Sequence, residues 1–216
     1  MSEPPLTLVC FAVKEEAKGF ERFAAGRRDL KVLLTGMGAR NAGKALRGAL
    51  AVARPGLVLS AGFAGGLRPD LVSGSVLFSA EEQPDLEKRL VAAGAHAAKF
   101  VCVERVATTA AEKRALRERT GADAVEMESQ AIRGICGEQG IPSATVRVVL
   151  DAAGEDLPLD FNELMTEDQQ LDGRKLASVV LKSPGKISGL LRLQKQGASA
   201  ANRLADVLKQ VLPRPA

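Results

Sequence analysis

The stretch Ala124-Val125-Glu126-Met127-Glu128-Ser129 brings an apolar run to two carboxylates, one residue apart, directly before a helix-like segment. A strand that ends in acids before a helix places those acids at the carboxyl edge of a sheet, where open α/β folds bind their ligands. Residues two apart in an extended segment point to the same side, so Glu126 and Glu128 could face one pocket. The turn could equally separate them, and two solvated acids at a strand end would give the same pattern.

The rest of the chain alternates apolar, strand-like segments with helical ones. We predict strands at 6–12, 30–34, 57–60, 75–79, 100–104 and 144–150, and helices from 13, at 41–52, over most of 81–98, at 109–120, at 129–136 and from 160 onward with a break at 183–185. This alternation indicates an α/β fold with a three-layer arrangement, in which helices cover both faces of a mainly parallel, mixed central sheet. We expect residues 1–185 to form the domain, and residues 186–216 to be a basic amphipathic helical tail that is part of it.

Composition excludes several functional classes. The chain has 216 residues, seven Phe, no Trp and no Tyr, so it lacks the rings that a single-stranded nucleic-acid platform needs. The three cysteines, Cys10, Cys102 and Cys136, are far apart and typical of reduced core residues, and His96 is the only histidine. We therefore expect no metal, no cofactor and no histidine-assisted nucleophile. Without a visible secretory signal or an apolar run of membrane-spanning length, we expect a cytoplasmic protein.

Positive charge is concentrated at the carboxyl end. Seven basic residues and one acid lie in 182–216, which gives +6 there and −2 for the rest of the chain. A basic amphipathic helix is typical of contact with a membrane surface. It is equally typical of a helix whose leucines and valines dock on the domain while its lysines and arginines face water.

Chemistry-bearing residues fall at the carboxyl ends of five predicted strands: Glu15 and Glu16, the run 35–38, the glycine run 62–66, Glu126 and Glu128, and Asp151. Several carboxylates around one cavity raise each other's pKa, so that one can be protonated while another is ionised. The glycine runs allow backbone amides to approach a ligand closely, although tight turns would also need them. Gly36-x-Gly38 lacks the third glycine of a dinucleotide fingerprint, which makes an oxidoreductase a weak alternative.

Five segments in order resemble the nucleoside phosphorylase/nucleosidase superfamily, which includes purine nucleoside phosphorylase and methylthioadenosine/adenosylhomocysteine nucleosidase. They are Ala12-Val13-Lys14-Glu15-Glu16, Thr35-Gly36-Met37-Gly38, Ser60-Ala61-Gly62-Phe63-Ala64-Gly65-Gly66-Leu67, Val125-Glu126-Met127-Glu128 and Arg147-Val148-Val149-Leu150-Asp151-Ala152-Ala153. Their order and rough spacing agree with the family over residues 6–165, so the resemblance implies its fold.

The resemblance also implies residue roles. Glu128 would accept hydrogen bonds from the ribose hydroxyls, with Met127 packing on the sugar. Asp151 would protonate a ring nitrogen of the leaving base, and Glu16 would orient or deprotonate the attacking water. Breaking an N-glycosidic bond builds positive charge on the sugar and negative charge on the base, so such groups would bind the transition state better than the ground state. The further substrate-binding candidates are Glu126, Phe63, Ala64, Gly65 and Gly38.

The sequence departs from the family pattern at Phe63 and Leu150, where the nucleosidases have serines. The arginine with which the phosphorylases hold phosphate is missing from Leu59-Ser60. We therefore expect a nucleosidase that hydrolyses a purine nucleoside, with adenine as the base, and a phosphate-dependent phosphorylase is the alternative. An alternative of another class is a catalytically weak nucleoside-binding protein that contacts a membrane through residues 186–211.

The segment 103–108, the helix after it and the basic tail resemble a hopanoid-biosynthesis phosphorylase-like subgroup, whose members are thought to cleave adenine from adenosylhopane. That resemblance implies a lipid-linked nucleoside as substrate. The superfamily resemblance implies a homodimer or a multiple of one, and the scarcity of aromatic residues argues against a nucleic-acid partner. Along the predicted helix 109–120, we expect Glu112 and Lys113 to be solvated.

Overall fold

The computed structural model describes residues 5–80, 83–166, 168–169 and 172–212. Within these residues, eight strands form one mixed sheet. The strands are β1 (Thr7–Phe11), β2 (Leu30–Leu34), β3 (Leu57–Gly66), β4 (Val76–Ser79), β5 (His96–Ala97), β6 (Phe100–Cys102), β7 (Ala124–Glu126) and β8 (Ser143–Asp151). The helices are α1 (Lys14–Ala24), α2 (Ala39–Leu50), α3 (Pro84–Ala92), α4 (Ala110–Thr120), α5 (Ser129–Glu138), α6 (Gly173–Lys182) and α7 (Ile187–Val211).

The main path of the sheet runs β2-β1-β3-β8-β4-β5, and β7 pairs with both β3 and β6. The pairs β1/β2, β1/β3, β3/β8, β4/β5 and β6/β7 are parallel, whereas β4/β8 and β3/β7 are antiparallel. The predicted fold class, a mainly parallel mixed sheet between helices, is therefore confirmed. The parallel strands β1, β2, β3 and β8 end at one edge of the sheet, which is the edge expected to carry the site.

Alternate residues of β1 show which helices cover each face of the sheet. Val9 and Phe11 belong to a core cluster that includes residues of α1, α3 and α7. Leu8 and Cys10 belong to a second cluster, with residues of α2 and α5. Because successive side chains of a strand point to opposite faces, the two clusters are the two apolar layers of a three-layer fold.

The boundaries of three predicted elements are wrong. The predicted strand 57–60 is too short, since β3 continues through the glycine run to Gly66, because β8 and β7 supply ladder partners on both sides. The helix predicted over 81–98 ends at Ala92, and β5 follows. The described parts of 160–172 are turns and irregular chain, so the carboxyl-terminal helices begin at Gly173.

The two halves of α7 have different surroundings. Leu204, Val207 and Val211 are fully buried in the core cluster that contains α1, and Leu190 and Leu193 are half-buried. The apolar face of the carboxyl-terminal half of this helix is therefore part of the hydrophobic core, whereas Asn202, Arg203 and Asp206 on its other face are exposed. No helix within the described ranges is long and apolar enough to cross a membrane.

Candidate active site

Arg147 of β8 lies at the centre of the candidate site and is 1% exposed. Its Nη2 donates to Ser60 Oγ at 3.1 Å, to Glu128 Oε2 at 3.1 Å and to Glu126 Oε2. Burial lowers the pKa of a guanidinium, but the surrounding carboxylates raise the pKa of Arg147 above its ordinary value. The residue is therefore a permanent cation that holds the carboxylates of Glu126 and Glu128 together.

The carboxylate of Glu126 is fully occupied by the protein. Its Oε2 accepts from the backbone N–H of Glu128 at 3.0 Å and of Ser129 at 2.8 Å, and its Oε1 accepts from Ser129 Oγ at 2.8 Å and from Cys102 Sγ. Burial works to raise its pKa, but Arg147 and these hydrogen bonds lower the pKa below its ordinary value. Glu126 is therefore ionised and positions Arg147.

Glu128 keeps acceptor capacity for a ligand. Its Oε1 accepts from Gly38 N–H, at the start of α2, at 2.8 Å, and its Oε2 accepts from Arg147. The partial positive charge of a helix N-terminus favours a carboxylate there. Burial nevertheless raises the pKa of Glu128, and Arg147 offsets part of that effect. The structure thus brings both acids of the opening stretch to one arginine and leaves only Glu128 with unused lone pairs.

Glu16 approaches the same arginine from the start of α1. Its Oε2 accepts from the N–H of Ala12 at 2.9 Å and of Val13 at 3.2 Å, and its Oε1 accepts from Phe63 N–H at 2.8 Å. Burial raises the pKa of Glu16 to about 7, against the opposing effect of Arg147. A carboxyl group with a pKa near neutrality is suited to exchange a proton with a bound water.

Gly62 separates Glu16 from Arg147. A Cβ at this position would lie 2.6 Å from Arg147 Nη1 and 2.7 Å from Glu16 Oε1. Those distances are too short for any side chain, so the close approach of the two groups requires a glycine here.

Asp151 ends β8 in a second charged cluster. Its carboxylate is buried and forms an ion pair with Lys113 of α4. Burial raises the pKa of Asp151, and the lysine acts in the opposite direction. The prediction that Lys113 is solvated is wrong, because its side chain is 0% exposed and donates to the carbonyls of Ala152 at 2.9 Å and Glu155 at 2.6 Å.

The two clusters are linked along β3. Gly62 contacts the Glu16–Arg147 cluster, and a Cβ at Gly65 would lie 3.6 Å from Asp151 Oδ2. Gly62 and Gly65 are three positions apart in β3, so their Cα atoms are about 10 Å apart. A cavity of about 160 Å³ borders Asp151. The two clusters thus lie beside successive parts of the same strand.

The two departures from the family pattern, Phe63 and Leu150, both lie close to Gly197 of α7. Phe63 packs against the core cluster that contains α1 and α7. A Cβ at Gly197 of α7 would be 3.9 Å from Phe63 Cζ and 3.8 Å from Leu150 Cδ1. The Phe63 ring therefore packs beneath the helix, whereas its backbone N–H faces Glu16.

The remaining predicted residues are placed as follows. Met127 is half-buried between the two acids. Ala64 lies in an apolar cluster with Val149, so only its backbone could face a ligand. Gly38 has φ of 83°, and a Cβ there would overlap Gln169 Oε1 at 1.7 Å, so this turn requires a glycine.

Sequence reasoning missed the roles of Arg147 and Lys113. Arg147 was visible as a charged residue in an otherwise apolar strand, where burial demands a counter-charge. Lys113 is three residues before the buried Leu116 on the same face of α4, and that spacing was the available signal.

Comparison with known proteins confirms the predicted resemblance. Residues 80–183, which include Lys113, Glu126, Glu128, Arg147 and Asp151, match the model of the family described as the phosphorylase superfamily. The predicted enzyme class, an N-ribosyl hydrolase or phosphorylase, is confirmed at the level of this superfamily. A search of curated protein sequences gives no significant match.

Solved structures show the same fold over nearly the whole chain. Futalosine hydrolase of Helicobacter pylori aligns with a TM-score of 0.67 at 14% identity, over 95% of this chain and 97% of that one. The 5'-methylthioadenosine/S-adenosylhomocysteine nucleosidase of Helicobacter pylori gives 0.70 at 13% identity, over 97% and 99%. The corresponding nucleosidase of Neisseria meningitidis gives 0.68 at 18% identity, over 95% and 99%.

Proposed function

We propose that this protein is a nucleosidase that hydrolyses the N-glycosidic bond of a purine nucleoside, with adenine as the base. The observation that carries the proposal is the pair of charged clusters that lie beside Gly62 and Gly65 of β3. One cluster offers Glu16 and Glu128 around Arg147, and the other offers Asp151, which lies beside Gly65, three positions along β3 from Gly62. These groups suit the two ends of a bond that breaks with positive charge on the sugar and negative charge on the base.

At the sugar, Glu128 is the group with free acceptor capacity, so it would accept the ribose hydroxyls, with Met127 beside it. Glu16 would take a proton from the attacking water, because its pKa of about 7 lets it be ionised before the reaction and protonated after it. Arg147 would hold both carboxylates in place while charge develops on the ribose.

At the base, Asp151 would deliver a proton to a ring nitrogen. Its burial favours the protonated form, and it borders the cavity in which a base would lie. Adenine is the proposed base because the structural relatives include nucleosidases named for methylthioadenosine and adenosylhomocysteine. A futalosine-like nucleoside is the corresponding alternative from the other relative.

Hydrolysis is favoured over phosphorolysis by the charge balance. Arg147 is paired with Glu126 and Glu128, so its charge is already neutralised by two carboxylates. A phosphate ion would meet those acids and Glu16 without an unpaired cation in this cluster, and like-charge repulsion would oppose it. Water carries no such penalty.

The test is release of free base from adenosine, methylthioadenosine, adenosylhomocysteine and inosine, each with and without phosphate. We expect release without phosphate, and a loss of roughly 10²–10⁴-fold in Asp151→Asn, in which the acid is absent. Asp85→Asn, at an exposed position on α3, is the matched control. Release from none of the nucleosides at high enzyme concentration would refute the proposal, and release only with phosphate would make the protein a phosphorylase.

A second candidate, nucleoside binding at a membrane surface, is favoured by the corner between α6 and α7. Leu181, Ile187 and Leu191 are 82%, 40% and 54% exposed there. Residues 173–205 contain seven basic residues and no acid. Because the apolar face of the carboxyl-terminal half of α7 is buried in the core, we propose residues 181–195 as the contact in place of the predicted 186–211.

Vesicle co-sedimentation tests that contact. The full chain should bind vesicles that contain phosphatidylserine more strongly than neutral ones. Replacement of Leu181 and Leu191 by serine should abolish binding, whereas Val52→Ser, at an 80% exposed position elsewhere, should not. Absence of binding to both vesicle types would refute the membrane contact and leave the nucleosidase proposal intact, whereas equal binding to both would refute the contribution of the basic residues.

We also propose a cytoplasmic homodimer. Two of the three free cysteines, Cys10 and Cys136, are buried, as suits a reducing compartment. Light scattering would measure the oligomeric state, and a monomeric mass at assay concentration would refute the dimer.

A further inference from the structure

Lys113 is an unusual residue for a charged, surface helix. Its neighbours Glu112 and Arg114 are exposed, whereas the Lys113 side chain is 0% exposed. A lysine is almost never fully buried unless its charge is paired, because desolvation of an ammonium is expensive. The groups that pair with the Lys113 ammonium therefore indicate its role.

All three partners of Lys113 lie at the end of β8 and in the turn that follows. The ammonium donates to the carbonyls of Ala152 and Glu155 and is ion-paired with Asp151. An ammonium has three N–H donors, so these three acceptors fix its position. Gly65 gives it room, since a Cβ there would lie 3.8 Å from Lys113 Cε.

This geometry determines where the Asp151 carboxylate lies. Lys113 holds it from the α4 side, and the cavity of about 160 Å³ lies on another side. We propose that Lys113 is a positioning residue for Asp151, which fixes the carboxylate at the edge of the cavity and keeps a positive charge beside it. The inference rests on the proposed function, in which Asp151 is the acid that serves the base.

The charged groups near Asp151 determine in which direction the loss of Lys113 would shift the pKa of Asp151. Lys113 favours the ionised carboxylate, whereas burial and Glu155 favour the protonated one. Asp156 and Arg192 line the same cavity. Loss of Lys113 would leave burial and the acids without the adjacent cation. Asp151 would then stay protonated to higher pH, and the basic limb of the pH–rate profile would move upward.

The test compares Lys113→Met with wild type by two measurements. Carboxyl-carbon NMR without substrate reports the titration of Asp151, assigned with Asp151→Asn. The pH dependence of kcat/KM for base release reports the acid in catalysis. We expect Lys113→Met to move both upward by about 1–3 pH units, which is the range for removal of an adjacent opposite charge. Lys113→Arg should move them less because it retains the charge, and Arg114→Met, on the exposed side of α4, should move neither.

An unchanged Asp151 titration in a folded Lys113→Met variant would overturn the inference, even if activity fell. Should this variant fail to fold, Lys113→Gln removes the same charge with a polar side chain, and the Asp151 titration is measured in that variant instead. No shift there would also overturn it. If wild type releases no base but the NMR shifts occur, the proposed reaction fails while the pairing stands.

Discussion

The substitution Glu16→Gln tests the proposed base by removing one charge at nearly constant shape. The Glu16 carboxylate accepts three backbone N–H bonds, from Ala12, Val13 and Phe63. A glutamine amide has one acceptor oxygen, so its NH₂ group must face at least one of these donors. An unsatisfied buried donor costs about 1–3 kcal/mol, so at low pH Glu16→Gln should be less stable than the wild type by that amount.

As the pH rises, the difference in stability between the wild type and Glu16→Gln should shift in favour of the variant. Burial raises the pKa of Glu16 from 4.5 to about 7. A group whose folded pKa is raised contributes stability that is present below pH 4.5 and lost as the pH rises through about 7. At 1.36 kcal/mol per pH unit, the wild type should lose roughly 3 kcal/mol across that window, and Glu16→Gln should lose none of it.

Denaturant unfolding at a series of pH values measures this difference, with Glu15→Gln at the exposed neighbouring position as control. In the base-release assay, the wild-type rate should rise as the pH passes about 7, the pKa of Glu16. The Glu16→Gln rate should be roughly 10²–10⁴-fold lower and lack this rise. A variant with the wild-type rate and the same rise would refute the role of Glu16, and a stability difference independent of pH would refute its raised pKa.

Three further substitutions test the packing around the site by denaturant unfolding. Arg147→Met should destabilise by about 3–5 kcal/mol, because it leaves buried carboxylates unpaired, whereas the exposed Arg114→Met should change stability by less than about 0.5 kcal/mol. Gly62→Ala should destabilise the protein and abolish base release, because its Cβ would lie 2.6 Å from the Arg147 guanidinium. The control Gly48→Ala has open space inside α2 and should instead stabilise the protein by about 0.5–1 kcal/mol. Equal effects of the two substitutions would contradict the close approach at Gly62. Leu204→Ala should cost about 2–5 kcal/mol in a single unfolding transition, since α7 is part of the core; a near-neutral effect would make it a peripheral tail.

Much of the candidate site follows from local sequence signals. Glu126 and Glu128 follow an apolar strand, and Asp151 ends another, so their meeting at one sheet edge follows from the βα alternation. Glu16 lies in the first turn of α1, where a carboxylate can cap the free N–H groups. These are properties of short segments, and short segments can be interpreted without knowledge of what packs on them.

Other features depend on partners that are distant in sequence. The family resemblance predicts Glu128 rather than Glu126 as the ribose-binding acid, but the physical reason for the difference depends on Ser129 and Cys102, which occupy the Glu126 carboxylate. The length of β3 depends on β7 and β8, which supply the hydrogen bonds that keep the glycine run extended. Local propensity alone favours a turn there.

The sequence by itself determined the α/β fold, the sheet edge that carries the acids and the resemblance to nucleosidases, because strand and helix periodicity and strand-end chemistry are encoded locally. Only the tertiary structure decided that the Phe63 ring packs under α7, that Arg147 joins the carboxylates and that Lys113 is buried against Asp151. The physical reason is that burial and charge pairing are properties of the assembled fold. A charged side chain is stable in the interior only when its counter-charge arrives from another element.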